Sequence, residues 1–117
     1  SLAALTSGTS NAALGHNALG ANTTGSYNTA IGGLDTGTYS CMFSNTTGSY
    51  NTALGGGAMR SNTSGVNNTA IGYQAYISAT TASNNTAVGY QAAYSTTTGS
   101  GNTFIGFWCW LQYIFRC

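Results

Sequence analysis

The chain of 117 residues has room for one domain, and only 3% of it is charged, against roughly 25% in average domains. Its two Arg (Arg60, Arg116), single Asp (Asp35), single His (His16) and absence of Lys exclude a basic stripe for nucleic acid, paired carboxylates for glycoside hydrolysis and a ligand cluster for a metal. No enzymatic chemistry and no cofactor is expected. The polar surface is left to Thr, Ser and Asn, and a net charge of +1 offers almost no electrostatic barrier to self-association.

Ser1 to Ser10 reads as the second half of a repeating unit, because Thr6-Ser7-Gly8-Thr9-Ser10 stands where later copies have Thr23-Thr24-Gly25-Ser26-Tyr27. No basic region followed by an apolar stretch precedes it, so no signal peptide is expected here. From Asn11 a five-residue phrase, Asn-Thr-Ala-aliphatic-Gly, recurs with small variations at Asn11, Asn28, Asn51, Asn68, Asn85 and Asn102. Successive starts differ by 17, 23, 17, 17 and 17 residues. A fixed period of this length predicts an all-β chain, a parallel β-solenoid or β-roll of about six 17-residue coils over residues 1–106, each coil burying its apolar side against its neighbours.

Within the phrase, period-2 geometry puts Thr29 and Ile31 on one face of a short strand and Asn28, Ala30 and Gly32 on the other. Both faces are restricted. The fourth position is always aliphatic (Leu14, Ile31, Leu54, Ile71, Val88, Ile105), and the third is Ala except at Ala13's last counterpart, Phe104. One face is expected to fill the thin interior and the other to meet a second chain or a second wall; the sequence leaves open which is which. His16, at a position held by Gly, Tyr or Phe in other copies, is expected to be exposed or hydrogen-bonded rather than a ligand.

The long unit from Asn28 becomes regular when read back from Asn51, which isolates Gly33, Leu34, Asp35, Thr36, Gly37 and Thr38 as an insertion. Insertions in solenoids protrude as loops on one face, making this segment a candidate partner contact. The same alignment puts Cys41 and Cys109 in the column occupied by Ala18, Ala58, Ala75 and Ala92, so these cysteines act as small buried residues. Without a CxxC pair they form no redox or metal motif, and Cys117 remains as an odd thiol available to join chains.

The units from Asn51, Asn68 and Asn85 read as regular, each ending in a Thr/Ser-rich link. Stacking predicts ladders of Asn51, Asn68 and Asn85, and of Thr63, Thr80 and Thr97, at ~4.8 Å intervals. Glycosylation sequons occur at Asn22, Asn45, Asn62, Asn67 and Asn84, where chance matches are expected in so Asn- and Thr-rich a chain. After Gly106 the vocabulary stops. Residues 107–117 are aromatic, with Trp108 and Trp110, and read either as a C-terminal cap or assembly segment or as a truncation or frame-shift scar. The run is too short and too interrupted to span a bilayer as a helix.

The phrases from Asn68 to Ala75 and from Asn85 to Ala92 resemble the repeats of bacteriophage tail-fibre shafts and of trimeric autotransporter adhesin heads. The resemblance covers nearly everything to Gly106. It implies three chains side by side, displayed outside the cell or on a virion, with a cell-surface receptor or glycan as a further partner. The insertion and the aromatic tail depart from it. The expected function is a structural fibre or surface-adhesion module that self-assembles as a homotrimer or filament; the alternative is an ice-binding β-solenoid presenting Thr and Asn ladders.

Overall fold

The computed structural model describes residues 1–33 and 38–108. Six three-residue strands, β1 (Ala12–Leu14), β2 (Thr29–Ile31), β3 (Thr52–Leu54), β4 (Thr69–Ile71), β5 (Thr86–Val88) and β6 (Thr103–Ile105), stack in chain order as one parallel sheet. Equivalent positions face one another throughout, as in Thr52 with Thr69, Ala53 with Ala70 and Leu54 with Ile71. The fold is the expected all-β parallel solenoid. Five full coils run from Asn11 to Gly101, and a sixth begins at Asn102. Numbering positions from the Asn of each phrase, positions 1 to 5 form a strand wall, and positions 6 to 17 return as a turn wall that carries no strand among the described residues.

The strand alternation decides what lies inside. Ala30, Ala53, Ala70 and Ala87 at position 3 are fully buried, as are Ala18, Cys41, Ala58, Ala75 and Ala92 at position 8. Small side chains are required because the two walls lie close together; Leu19, Met42, Met59 and Tyr76 at position 9, and Phe104 at position 3 of the last coil, supply the bulk between them. At position 5 each Gly has φ between 122° (Gly15) and 136° (Gly106), a region open mainly to glycine. A Cβ on Gly72 would also run into the carbonyl of Gly89 directly above it.

Polar groups inside the coil are satisfied by asparagine. At position 1, Asn51 Oδ1 accepts from the Asn68 backbone N–H at 2.9 Å and from Asn68 Nδ2 at 3.1 Å, while Asn51 Nδ2 donates across the interior to the Gly65 carbonyl at 2.8 Å. The arrangement repeats from Asn11 to Asn102, so the Asn51, Asn68 and Asn85 ladder extends over the whole stack. Buried amides thus tie neighbouring coils together and bind the two walls of each coil, leaving few unpaired groups.

A second ladder runs up the turn wall through position 12. Asn45 Nδ2 donates to Asn22 Oδ1 at 2.8 Å and Asn62 Nδ2 to Asn45 Oδ1 at 2.7 Å. There it stops, because the next residue in the column is Ala79. The units from Asn68 and Asn85, expected to be regular, therefore depart from the first three in their turn wall. Tyr76 and Ala79 take the place of an aliphatic residue and an Asn, and Ala82 stands where Gly25, Gly48 and Gly65 stand. A Cβ on Gly48 or Gly65 would strike both the Asn Oδ1 of its own coil and the backbone carbonyl of the next, at Gly65 and Ala82; an Ala at position 12 removes the first of these obstacles.

The six-residue insertion leaves the coil undisturbed. Cys41 N–H donates to Gly32 O at 3.3 Å, matching Ala58 to Gly55 at 3.2 Å and Ala75 to Gly72 at 3.3 Å. The extra residues leave the coil between positions 5 and 6. Leu34, Asp35, Thr36 and Gly37 lie outside the described residues, as do Cys109, Trp110 and Cys117.

Candidate functional site

The strand alternation that buries Ala turns the fourth-position side chains outward. Leu14, Ile31, Leu54, Ile71 and Ile105 are exposed, from 37% at Ile71 to 68% at Leu14, and Val88 is half-buried. These residues belong to the surface rather than to the core that Ala18, Cys41, Ala58, Ala75 and Ala92 build. Beside them runs a second outward row, Thr29, Thr52, Thr69, Thr86 and Thr103. The result is one sheet face carrying a row of Thr and a row of aliphatic side chains, both repeating at the strand spacing of ~4.8 Å.

Aromatic columns flank this face. Tyr27 and Tyr50, just before the strands, stack with ring centroids 5.0 Å apart and planes within 5°. On the other edge Tyr73, Tyr90 and Phe107 stack at 5.5 Å, and Tyr39 leans over the side-chain gap at Gly56 to reach Tyr73 at 5.6 Å. Because rings within each column face one another along the stack, they present edges and hydroxyls sideways. A flat aromatic platform of the kind that stacks on a sugar ring or base is not what they offer. The exposed phenyl and indole of Phe107 and Trp108 end the second column. Trp108 N–H still follows the repeat, donating to Tyr90 O at 3.2 Å.

No charged residue occurs at positions 17, 2, 4 or 6 of any coil, where the face and its flanks lie. His16, the only titratable imidazole, sits exposed at the edge with Nε2 3.0 Å from Asn17 Nδ2. Gly33 packs against the His16 backbone; with Thr38, it places the mouth of the insertion beside the second aromatic column. Among the described residues no group of three His, Cys, Asp or Glu could hold a metal ion, and no helix is long and apolar enough to cross a membrane.

The column to which Thr63, Thr80 and Thr97 belong has its hydroxyls engaged from Thr23 to Thr63. Thr63 Oγ1 donates to Thr80 O at 3.1 Å, as Thr23 does to Thr46 O and Thr46 to Thr63 O, both at 3.1 Å. Cys41 is buried, its Sγ 3.3 Å from Ala53 O, and burial pushes the thiol pKa up to about 12. Of the five sequons, Asn22, Asn45 and Asn62 are buried in the turn-wall ladder, whereas Asn67 and Asn84 are exposed. The outward direction of the aliphatic row was not readable from sequence, since both strand faces are equally restricted. The aromatic columns were readable in principle, from Tyr73, Tyr90 and Phe107 recurring at 17-residue intervals.

Fold and face together define a single-sheet parallel β-solenoid with one uncharged, row-patterned face. No protein-family model, curated protein or solved structure matches the chain.

Proposed function

We propose that the chain is a structural fibre or surface-adhesion module, working outside a cell or on a virion, that self-assembles through the outer face of its sheet. The observation that carries this is the row of Leu14, Ile31, Leu54, Ile71, Val88 and Ile105 standing in water along the stack. A contiguous apolar row of that length marks an interaction surface. Its occupant is a second copy, for two reasons. The face holds no charge for a charged partner to read, and a surface that matches rows at ~4.8 Å along its length is another parallel stack of strands. The resemblance to trimeric fibre repeats agrees with this, and a receptor or glycan would then be met elsewhere, with the loop at 33–38 the candidate.

Sedimentation of the full chain over a wide concentration range tests the proposal. We expect trimers or longer assemblies, and a double variant, Leu54→Lys with Ile71→Lys, that keeps the β-type circular dichroism but sediments as a monomer. A wild-type chain that stays monomeric at high concentration overturns it. Ice binding is the second reading, favoured by the outward Thr29, Thr52, Thr69, Thr86 and Thr103 row rather than by Thr63, Thr80 and Thr97. Thermal hysteresis from a wild-type monomer is its signature.

A further inference from the structure

The two ends of the turn wall are latched differently. In the lower coils a single carbonyl receives three consecutive amides from the coil beneath: Thr23, Thr24 and Gly25 N–H donate to Thr46 O at 3.0, 3.1 and 3.3 Å, and Thr46, Thr47 and Gly48 N–H to Thr63 O at 2.9, 3.1 and 3.3 Å. One level up only Thr63 and Ser64 reach Thr80 O, at 2.8 and 3.3 Å. At the next level only Thr80 reaches Thr97 O, at 3.5 Å.

A second change coincides with this thinning. The position-9 amides of Leu2, Leu19 and Met42 donate upward to Ala18, Cys41 and Ala58 carbonyls at 3.2, 3.1 and 3.0 Å, whereas Ala93 N–H donates downward to Ala75 O at 2.7 Å. The polarity follows the backbone. Leu2, Leu19, Met42 and Met59 have φ between 49° and 53°, and Tyr76 and Ala93 have left that left-handed conformation. Ala75 O is therefore occupied from above, where the pattern of the lower coils would have offered it to Met59. At the same boundary Asn62 Oδ1, buried and facing the Ala79 level, has no hydrogen-bond partner.

The strand wall crosses this boundary unchanged. Thr52, Thr69 and Thr86 N–H donate to Asn68, Asn85 and Asn102 carbonyls at 2.8, 2.8 and 2.9 Å, and Gly72 and Gly89 N–H to Leu54 and Ile71 carbonyls at 2.8 Å. We propose that the turn wall of coils four and five, residues 77–84 and 94–101, is a strap that unlatches from the stack while β4 and β5 stay paired. Local opening follows the hydrogen bonds and buried contacts that must be given up. The thinning is greatest between coils four and five, where the two strap segments share Thr80 N–H to Thr97 O at 3.5 Å, Ser83 N–H to Ser100 Oγ at 3.1 Å and Gly101 N–H to Ser83 O at 3.2 Å. Toward coil three the strap must also release Ser61 N–H to Ile77 O, Val66 N–H to Ser83 Oγ and Asn84 N–H to Val66 O. The cross-ties from Asn68 Nδ2 to Ala82 O and from Asn85 Nδ2 to Gly99 O, both 2.8 Å, draw it back.

Residue-resolved amide hydrogen exchange on the full chain tests this. Thr80, Thr81 and Ala82 are expected to exchange about 100-fold faster than Thr46, Thr47 and Gly48, the effect of roughly two lost hydrogen bonds, while Thr69 and Thr86 remain as protected as Thr29 and Thr52. Simple fraying of the stack from its ends predicts instead that Thr6, Ser7 and Gly8, which bond to Thr23 O at 3.0, 3.1 and 3.2 Å, exchange as fast as Thr80 to Ala82. Equal rates at 46–48 and 80–82, or Thr86 and Gly89 exchanging together with Ala82, overturn the proposal. The triple variant Tyr76→Met, Ala79→Asn, Ala82→Gly, which returns coil four to the pattern of coil three, should slow exchange at 80 and 81 by about tenfold. Unchanged rates in a folded variant also overturn the proposal, and if the variant does not fold, the wild-type order of rates decides.

Discussion

The strand wall and the turn wall are built from the same period by different means. Along the strand wall one solution is repeated from the first coil to the fifth, and only Phe104 in the sixth departs from it: an Asn that accepts from the coil above, an inward Ala, an outward aliphatic and a Gly at positive φ. Along the turn wall the solution changes part way, with Tyr76, Ala79 and Ala82 replacing Met, Asn and Gly. A solenoid tolerates such a change because each coil answers only to its neighbours. The stack needs one continuous wall, and the other has room to vary.

Three substitutions sharpen that contrast, from the largest effect down. Gly72→Ala puts a methyl group into the Gly89 carbonyl at a φ of 125°, and is expected to remove about 3 kcal/mol or more, from steric overlap together with backbone strain. Urea unfolding should show a collapsed midpoint; a near-wild-type midpoint would mean that the walls can separate to admit a Cβ. Next, Asn51→Ala strips two donors and two acceptor contacts from the strand wall and should cost about 3 kcal/mol. Asn62→Ala removes two bonds from the turn wall together with an already unpartnered oxygen, and should cost about 1 kcal/mol. Equal losses in the two variants would erase the distinction between the walls.

The smallest effect belongs to Cys41→Ala, which reproduces the residue found at that position in neighbouring coils and should change stability at neutral pH by less than about 1 kcal/mol. Its signature lies in alkali. Burial raises the Cys41 thiol from 9.0 to about 12 and the Tyr76 phenol from 10.0 to about 12, the latter against a lowering contribution from the Asn85 amide. Both groups are neutral in the fold and ionise more readily in the unfolded chain. Their contribution to stability is thus complete below about pH 9 and is lost as pH rises through 12. In Cys41→Ala the decline should start nearer pH 10, where the tyrosine phenols, Tyr76 foremost, take over; an unshifted onset would show that the thiol is not what the fold protects.

The sequence carried the period, the parallel register and the Ala column because these depend on local, repeated restrictions. Each copy of the Asn-Thr-Ala-aliphatic-Gly phrase has to satisfy the same neighbours, so the spelling alone places Cys41 among alanines and sets Gly33 to Thr38 apart as extra residues. The outward direction of Leu14 and Ile31 was not legible, since a packed surface row and a packed core row impose the same aliphatic restriction. The change at Tyr76 was legible as spelling but not as structure. Thr80-Thr81-Ala82-Ser83 keeps the polar vocabulary of a turn, and only the geometry shows that, where the Asn and the Gly are both lost, the Thr80 and Thr97 carbonyls receive two amides and one in place of three.

The asparagine column has a direction. From Asn28 to Asn102 each member points its N–H groups toward the first coil, and from Asn11 to Asn85 each turns its Oδ1 toward the sixth. Amide dipoles aligned in a low-dielectric interior polarise one another along the column. Two such stacks meeting end to end would place oxygen against N–H when oriented alike, and oxygen against oxygen or N–H against N–H when opposed. A filament grown in that way would be vectorial, with one end chemically an acceptor and the other a donor.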